Sequence, residues 1–502
     1  MFRIKRLRID TLSEHVIFIS EAAVREGNLG FRPLDRARVV EAEPASGEPR
    51  EVTGVLNLCL DGIVAADEIG VSEDAFADLG LPEGAHVRAT ISPAPASVDL
   101  VRGRLLFGTR LDEANFRTIL DDVVHRRYSK VELSMFVLAC AVRALDAREM
   151  VDYTRAMIAS GTALDFGAGP VADKHCIGGV PGNRTTMIVV PILASLGVIV
   201  PKTSSRAITS PAGTADTMGM LAEVALTPER MQQIVSKVGG CIAWGGTLGL
   251  APADDVLITV ERPLELDSEA HMVASILAKK KTVGATHVLI DIPVGPTAKV
   301  RTIADAKRLG LVFGAVADEI GLLLDVVATD VRGPIGWGIG PRLEALDVLA
   351  VLRGEAGAPR DLREKSLYLA GRMLESVGIA APPGGYRLAQ EKLDSGAAAK
   401  AFEAIVEAQG RRDLVPAARY RGIVEATGDG RLRDLHCREM ARVAKRAGAP
   451  ANPEAGVRLL HAVGDIVSRG EPLFEIHAQS RAQLDFALDY ARVRPDLVRL
   501  GF

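Results

Sequence analysis

The segment Asp173-Lys174-His175-Cys176-Ile177-Gly178-Gly179-Val180-Pro181-Gly182-Asn183-Arg184-Thr185-Thr186 runs straight into an apolar stretch, residues 187–200, and a second polar loop, residues 203–216, follows. Glycines let successive backbone N–H groups converge without Cβ obstruction, and a helix beginning at the end of the loop would add its own unpaired N–H groups. Lys174, Arg184, Thr185 and Thr186 add positive charge and hydroxyls, a combination suited to phosphate. The loop matches neither the G-x-x-x-x-G-K-[ST] nor the G-x-G-x-x-G pattern. Taken alone, a tight turn carrying surface charge is an equal reading of it.

Outward from this segment, apolar runs at 187–200, 256–260, 287–292 and 322–327 alternate with glycine-rich turns and with helical patterns at 268–281 and 302–309. That alternation predicts an α/β architecture. Upstream, 128–142 and 147–158 place apolar residues three and four apart, which predicts helices. Ser129 followed by Glu132 has the form of a capping box and marks a helix start near Lys130. The first hundred residues carry short alternating segments at 16–20, 37–40 and 86–91 between glycines and prolines, predicting a small β-rich unit. Near the end, 473–476 reads as a strand and 480–492 as a helix, after a charged, alanine-rich region at 397–412.

The expected organisation is an α/β multidomain chain. It has a β-rich N-terminal domain (1–100), a discontinuous α-helical domain (101–165 and 254–285), a large α/β domain (166–253 and 286–415) and a C-terminal α+β subdomain (416–502). A length of 502 residues is more than one hydrophobic core usually organises. The net charge of −4 offers no global field for nucleic acid or an acidic membrane surface, so any anion must be held locally. Five scattered cysteines without a C-x-x-C pair indicate neither zinc framework nor disulfide scaffold. The N-terminus lacks a continuous apolar signal region, so cytoplasmic residence is expected. The histidines show no metal-ligand spacing, and no metal or other cofactor is implied.

The 203–216 loop offers six hydroxyls and one guanidinium in fourteen residues, a fitting second wall for a phosphorylated or sugar ligand; a solvated loop is the plainer reading. A third group is Asp254, Asp255, Asp267 and Ser268, with Ser275 and Lys279 one turn apart on a helix, where they can face one way. Such a helix face is more often simply solvated. His175 satisfies a turn or contacts a ligand, and Cys176, without an accompanying histidine and acid pattern, reads as a small loop residue.

In order, 173–180, 204–206 with 213–216, 251–254 and 274–280 resemble the thymidine phosphorylase superfamily, which also holds the pyrimidine-nucleoside phosphorylases, from about residue 111 onward. The first hundred residues resemble the extra domain of its longer archaeal-type branch, which includes AMP phosphorylases. The resemblance implies a phosphorylase of the pentosyltransferase class, with inorganic phosphate as co-substrate, a nucleotide or nucleoside as partner, and a homodimer or larger homo-oligomer. It assigns phosphate to Lys174, Cys176, Gly178, Gly179, Thr185, Thr186, Ser204 and Thr214. Cys176 replaces the usual serine, and two residues inserted around Pro181 leave Thr185 and Thr186 as alternatives.

Nucleotide or nucleoside contacts are implied at Gly179, Ser205, Arg206, Ala207, Ile208, Thr209, Ser210, Thr214, Ser275, Lys279 and Lys299, with Asp267 as proton donor and His175 positioning sugar or base. Pyrimidine enzymes place an arginine where Val260 stands here, so their clamp on the base is incomplete. Together with Lys299, a cation suited to a 5′-phosphate, this favours AMP as substrate, giving adenine and ribose 1,5-bisphosphate. Thymidine phosphorolysis, giving thymine and 2-deoxyribose 1-phosphate, is the alternative. An anthranilate phosphoribosyltransferase-like enzyme and a non-catalytic nucleotide-binding protein are further readings.

Overall fold

A computed structural model describes residues 1–27, 29–44, 46–207, 210–264, 266 and 268–501. The chain forms two compact units, one of residues 1–161 with 251–278 and the other of 162–250 with 279–502.

In the first unit, strands Phe2–Arg6, Val16–Ser20, Arg36–Glu41, Glu51–Cys59, Glu68–Val71 and His86–Ile91 close into a barrel. Alternation turns Ile4, Ile17, Ile19, Val39, Leu56 and Ile69 inward to fill it, and closure leaves no edge for stray pairing. The barrel is tied to the helices beside it. Arg126 donates to the Ser13 carbonyl at 2.8 Å, the Lys130 N–H donates to Glu14 at 3.0 Å, and Arg36 lies 3.1 Å from Glu132.

Helix Lys130–Val142 starts where the Ser129/Glu132 pair predicts, with the Glu132 carboxylate accepting the Ser129 N–H at 2.7 Å. Tyr153, on helix Ala147–Ala159, is fully buried against the rings of Phe116 and Phe136. Its hydroxyl meets His271 Nδ1 at 2.7 Å, and His271 Nε2 lies 3.0 Å from Asp254.

The apolar run 256–260 is helical. It lies in helix Pro252–Leu264, whose first turn carries Pro252, Asp254 and Asp255, the residues that suit a helix start through a pre-set φ and the helix dipole. Burial of Val256, Leu257 and Val260 explains the apolar run. The 187–200 stretch likewise divides. Thr186–Ala194 is a helix buried on every side, and Val200–Ser204 is the following strand. A helix with no solvent face shows no amphipathic period, so its β-branched residues imitate a strand.

In the second unit, strands Leu323–Asp330, His287–Val294 and Ala172–Cys176 form a parallel sheet in that order. Parallel strands Val200–Ser204 and Gly240–Trp244 continue alongside, joined at a bridge between Val171 and Ile199. The buried helix 186–194 packs between this layer and helices Arg360–Ser376 and Ala397–Gln409. Farther on, strands Gly338–Ile339, Gly456–Leu459, Pro472–Ala478 and Tyr420–Glu425 form an antiparallel sheet. Strands Ile466–Val467, Gly430–Leu435 and Val498–Gly501 form another. Helices Cys437–Arg446 and Arg481–Arg492 close a separate core over these sheets. Among the described residues no helix is long and apolar enough to cross a membrane.

Candidate active site

The strand Ala172–Cys176 ends at the glycine loop, so the loop sits at the carboxyl edge of the parallel sheet, where open α/β sheets bind ligands. Strand alternation sends Lys174 to one face and Asp173 to the other. Each meets opposite charge in the interior.

Lys174 is buried, and its Nζ donates to Thr185 Oγ1 at 2.8 Å while standing 3.7 Å from Asp291. Asp291 is shared with Lys365 at 3.0 Å and accepts from the Thr329 hydroxyl at 2.7 Å. Burial pushes the Asp291 carboxyl up, but Lys365 and Lys174 more than reverse this and hold it below the usual carboxylate range. For Lys174 burial wins over Asp291, so its ammonium lies below the ordinary lysine value. On the opposite face Asp173 pairs with Lys280 at 2.7 Å and Lys202 at 3.2 Å. Burial, opposed by Asp173, brings Lys202 down to about 7. Burial and the surrounding Lys280, Lys202, Lys174 and Lys279 hold His175 well below the ordinary imidazole value, so it is neutral at neutral pH.

The loop glycines have distinct reasons to be glycine. Gly178 and Gly179 adopt φ of +90° and +85°, a left-handed conformation that other residues resist. A Cβ on Gly179 would lie 2.9 Å from the Lys299 nitrogen, and one on Gly182 only 2.0 Å from the Ile335 carbonyl oxygen. The first brings the backbone of Lys299 against the glycine loop. The second is a packing requirement rather than an anion contact.

Cys176 turns its sulfur into the loop, where it accepts from Asn183 Nδ2 at 3.2 Å and from the Gly178 N–H at 3.5 Å. Burial and Asp291 push its thiol up, so it stays protonated at neutral pH. Thr185 is the threonine that touches Lys174, while Thr186 begins the buried helix, whose next N–H groups, of Met187 and Ile188, donate to the Arg184 and Thr185 carbonyls at 3.0 Å each.

Arg184 has a structural post instead of a free charge. Its guanidinium pairs with buried Glu344, donates to Thr214 Oγ1 at 3.0 Å and to the Ala212 carbonyl at 2.7 Å. This stitches the glycine loop to the second loop. Thr214 accepts from Arg184 and so keeps its own proton to donate. Asp216 accepts the N–H groups of Ala207 at 2.6 Å and Gly213 at 2.8 Å, tying both to the short helix Thr214–Met218.

Ser204 and Ser210 donate to the carbonyls of Ser205 and Ala212. Arg206 lies over the Trp244 ring with 4.8 Å to its centroid, and 3.6 Å from Asp216. Ile208, Thr209 and Asp267 lie outside the described residues. Ser275 and Lys279 share helix Glu269–Thr282 and are half-buried, and Asp254 is buried against His271, so neither is the solvated face that their spacing alone suggests.

Reading the sequence left out Asp291, Lys365, Lys202, Lys280, Asn183 and Glu344. A carboxylate inside the apolar strand His287–Val294 was a visible signal for Asp291, because a buried charge needs a partner. Lys202 and Glu344 stood in no recognisable pattern.

The fold is similar to that of anthranilate phosphoribosyltransferase from Thermus thermophilus, with a TM-score of 0.52 and 19% identity over 62% of this chain and 99% of that one. Residues 168–399 match the model of the glycosyl transferase family a/b domain, and 431–494 that of the pyrimidine nucleoside phosphorylase C-terminal domain. A protein of Polaromonas sp. (strain JS666 / ATCC BAA-500) named "Putative thymidine phosphorylase" is 47% identical, covering 99% of this chain and 96% of its own. One of the same name from Methylococcus capsulatus is 45% identical over 98% of this chain and 94% of its own. The two family models and the near full-length relatives together define a phosphorylase of the pentosyltransferase class. The chain belongs to the thymidine and pyrimidine-nucleoside phosphorylase superfamily, and the similarity runs through the N-terminal barrel as well.

Proposed function

We propose that the protein phosphorolyses pyrimidine nucleosides, thymidine foremost, to the free base and a pentose 1-phosphate. The observation that carries the reaction type is the buried Lys174–Thr185 pair beside a loop whose Gly178 and Gly179 hold left-handed backbone, a preformed seat for phosphate. The choice of substrate is supported by the near full-length relatives named for thymidine.

Lys174, Thr185, Thr214 and the loop N–H groups orient phosphate for attack on the anomeric carbon, while the C–N bond breaks through an oxocarbenium-like state. The departing base carries the electron pair of that bond. Ser275 and Lys279 offer hydrogen bonds to it, and neutral His175 can donate to a sugar hydroxyl or a base oxygen. Phosphate ends on C1 of the sugar, and no covalent intermediate with the enzyme is needed.

A second reading, AMP phosphorolysis with Asp267 protonating adenine, is favoured by Val260, buried where pyrimidine enzymes carry an arginine, and by the backbone of Lys299 against Gly179. Purified protein incubated with phosphate and, in turn, thymidine, uridine, AMP, CMP, UMP and GMP discriminates the two by the free base released. Thymine from thymidine with none from nucleotides is the expected result, and adenine from AMP alone would replace thymidine by AMP. Lys299→Ala should change thymidine turnover less than twofold. On the AMP reading it would weaken nucleotide use by about tenfold or more, the loss of one charge-assisted hydrogen bond.

Cys176→Ser restores a hydroxyl, a better donor than a thiol. Its expected effect is a phosphate KM lowered by about threefold, near the low end for one hydrogen bond. A raised KM would show that the sulfur's bonds to Asn183 and Gly178 matter more than donation.

A further inference from the structure

A cavity of about 710 Å³ opens in the second unit at the carboxyl ends of strands His287–Val294 and Leu323–Asp330. Four arginines line it, Arg301, Arg332, Arg433 and Arg499, against two carboxylates, Asp330 and Asp434. None of the residues assigned above to phosphate or nucleoside lines it. We propose that this cavity is a second anion site, taking a small ligand with two or more phosphoryl groups, such as tripolyphosphate or the polyphosphate arm of a nucleotide.

The charges are arranged to receive such a ligand. Arg499, largely exposed, pairs with the buried Asp434, which holds its guanidinium at the cavity. Arg332 stands 3.6 Å from Asp330 with both side chains largely exposed, and such surface pairs hold so weakly that Arg332 can turn to a stronger acceptor. Guanidinium groups match phosphoryl oxygens two at a time. The volume falls within the range of small-molecule sites and exceeds what one phosphate fills, and a surplus of two positive charges among the lining residues calls for a multiply charged occupant.

The floor of the cavity is also physically joined to the phosphate loop. The Gly295 N–H donates to the Val300 carbonyl at 3.1 Å, closing the loop 295–300. A Cβ on Gly295 would lie 1.8 Å from the Val331 carbonyl oxygen, so this loop rests on the end of the neighbouring strand. The same loop carries Lys299, whose backbone packs on Gly179. It also holds Thr297, whose hydroxyl accepts the N–H of Cys437 at 3.2 Å. An anion drawn onto Arg301 and Arg332 therefore presses on one side of a loop whose other side bears on the phosphate seat.

Calorimetric titration of the full chain tests the proposal, with inorganic phosphate kept saturating to fill the Lys174 site and tripolyphosphate as titrant. One equivalent should bind per chain, more weakly as NaCl rises. The double variant Arg301→Ala/Arg332→Ala should bind at least about tenfold more weakly, whereas Lys174→Ala should bind within twofold of the wild type. The single variant Arg332→Glu, at an exposed position, should show the loss with an unchanged thermal melt. ATP binding more tightly than tripolyphosphate would mark a nucleotide as occupant, and equal affinity a polyphosphate alone. No binding to the wild type, or binding lost in Lys174→Ala yet kept in the double variant, would overturn the proposal, and neither result depends on phosphorolysis.

Discussion

Lys174→Ala should lower kcat/KM for phosphate by about 10²–10³, roughly 2.7–4 kcal/mol of transition-state stabilisation, the usual loss when one preorganised electrostatic group is removed. The lysine is not consumed by its neighbours. At 3.7 Å from Asp291 its ion pair is loose, and its hydrogen bond to Thr185 is to a neutral hydroxyl. Asp291 keeps Lys365 and Thr329 when Lys174 is gone, so the interior does not gain an uncompensated charge. The variant should fold, and steady-state kinetics with varied phosphate beside a thermal melt will separate lost binding from lost structure. A kcat/KM within threefold of the wild type would remove Lys174 from the phosphate seat.

The same lysine gives phosphate affinity an alkaline limit. Its pKa lies below 10.5 because burial outweighs Asp291, so the charge proposed to hold phosphate is lost before an ordinary lysine would lose it. Stability moves the other way. Between the folded and unfolded pKa values the unfolded chain binds the proton and the folded chain does not, so stability rises with pH there. Lys202, brought to about 7 from 10.5, sets a window from about pH 7 upward. Phosphate affinity that falls while the melting temperature rises, across pH 7 to 10, is the expected signature.

Much of this arrangement was legible in the chain. Glycine spacing and the two hydroxyl-bearing loops indicated the loops at a sheet edge that are proposed to seat an anion, and the order of four motifs indicated the family. The residues that give the seat its electrostatics were not. Asp291 and Lys365 lie 74 positions apart and meet through sheet and helix packing that local spacing does not encode. Arg184 illustrates the opposite error. Next to glycines and threonines it reads as an anion ligand, yet burial forces it to find a permanent acid partner. Helices 186–194 and 252–264 could not be told from strands by their apolar runs for a related reason, since tertiary burial, not local propensity, made those runs apolar.

That permanent partner is Glu344, and its removal should be the costliest single change to the fold near the site. One carboxylate oxygen accepts the Gly340 N–H at 3.0 Å, and the other takes Arg184 and the Thr217 hydroxyl. Glu344→Ala leaves a guanidinium buried without its anion, a change that costs about 3–5 kcal/mol. Urea unfolding followed by circular dichroism should show it as a lower midpoint. The pair need not stabilise the fold relative to apolar residues of the same size, because desolvating two charges offsets their attraction. Arg184→Met/Glu344→Leu should therefore recover most of the lost stability.

Phosphate affinity should not recover with it. Arg184 holds Thr214 and the Ala212 carbonyl in place, and methionine offers no donor to either. Stability regained with phosphate KM still raised by about tenfold, the equivalent of about 1.4 kcal/mol, would assign Arg184 to positioning the second loop. If affinity returned together with stability, the ion pair would be a folding device alone, and Thr214 would reach phosphate without it.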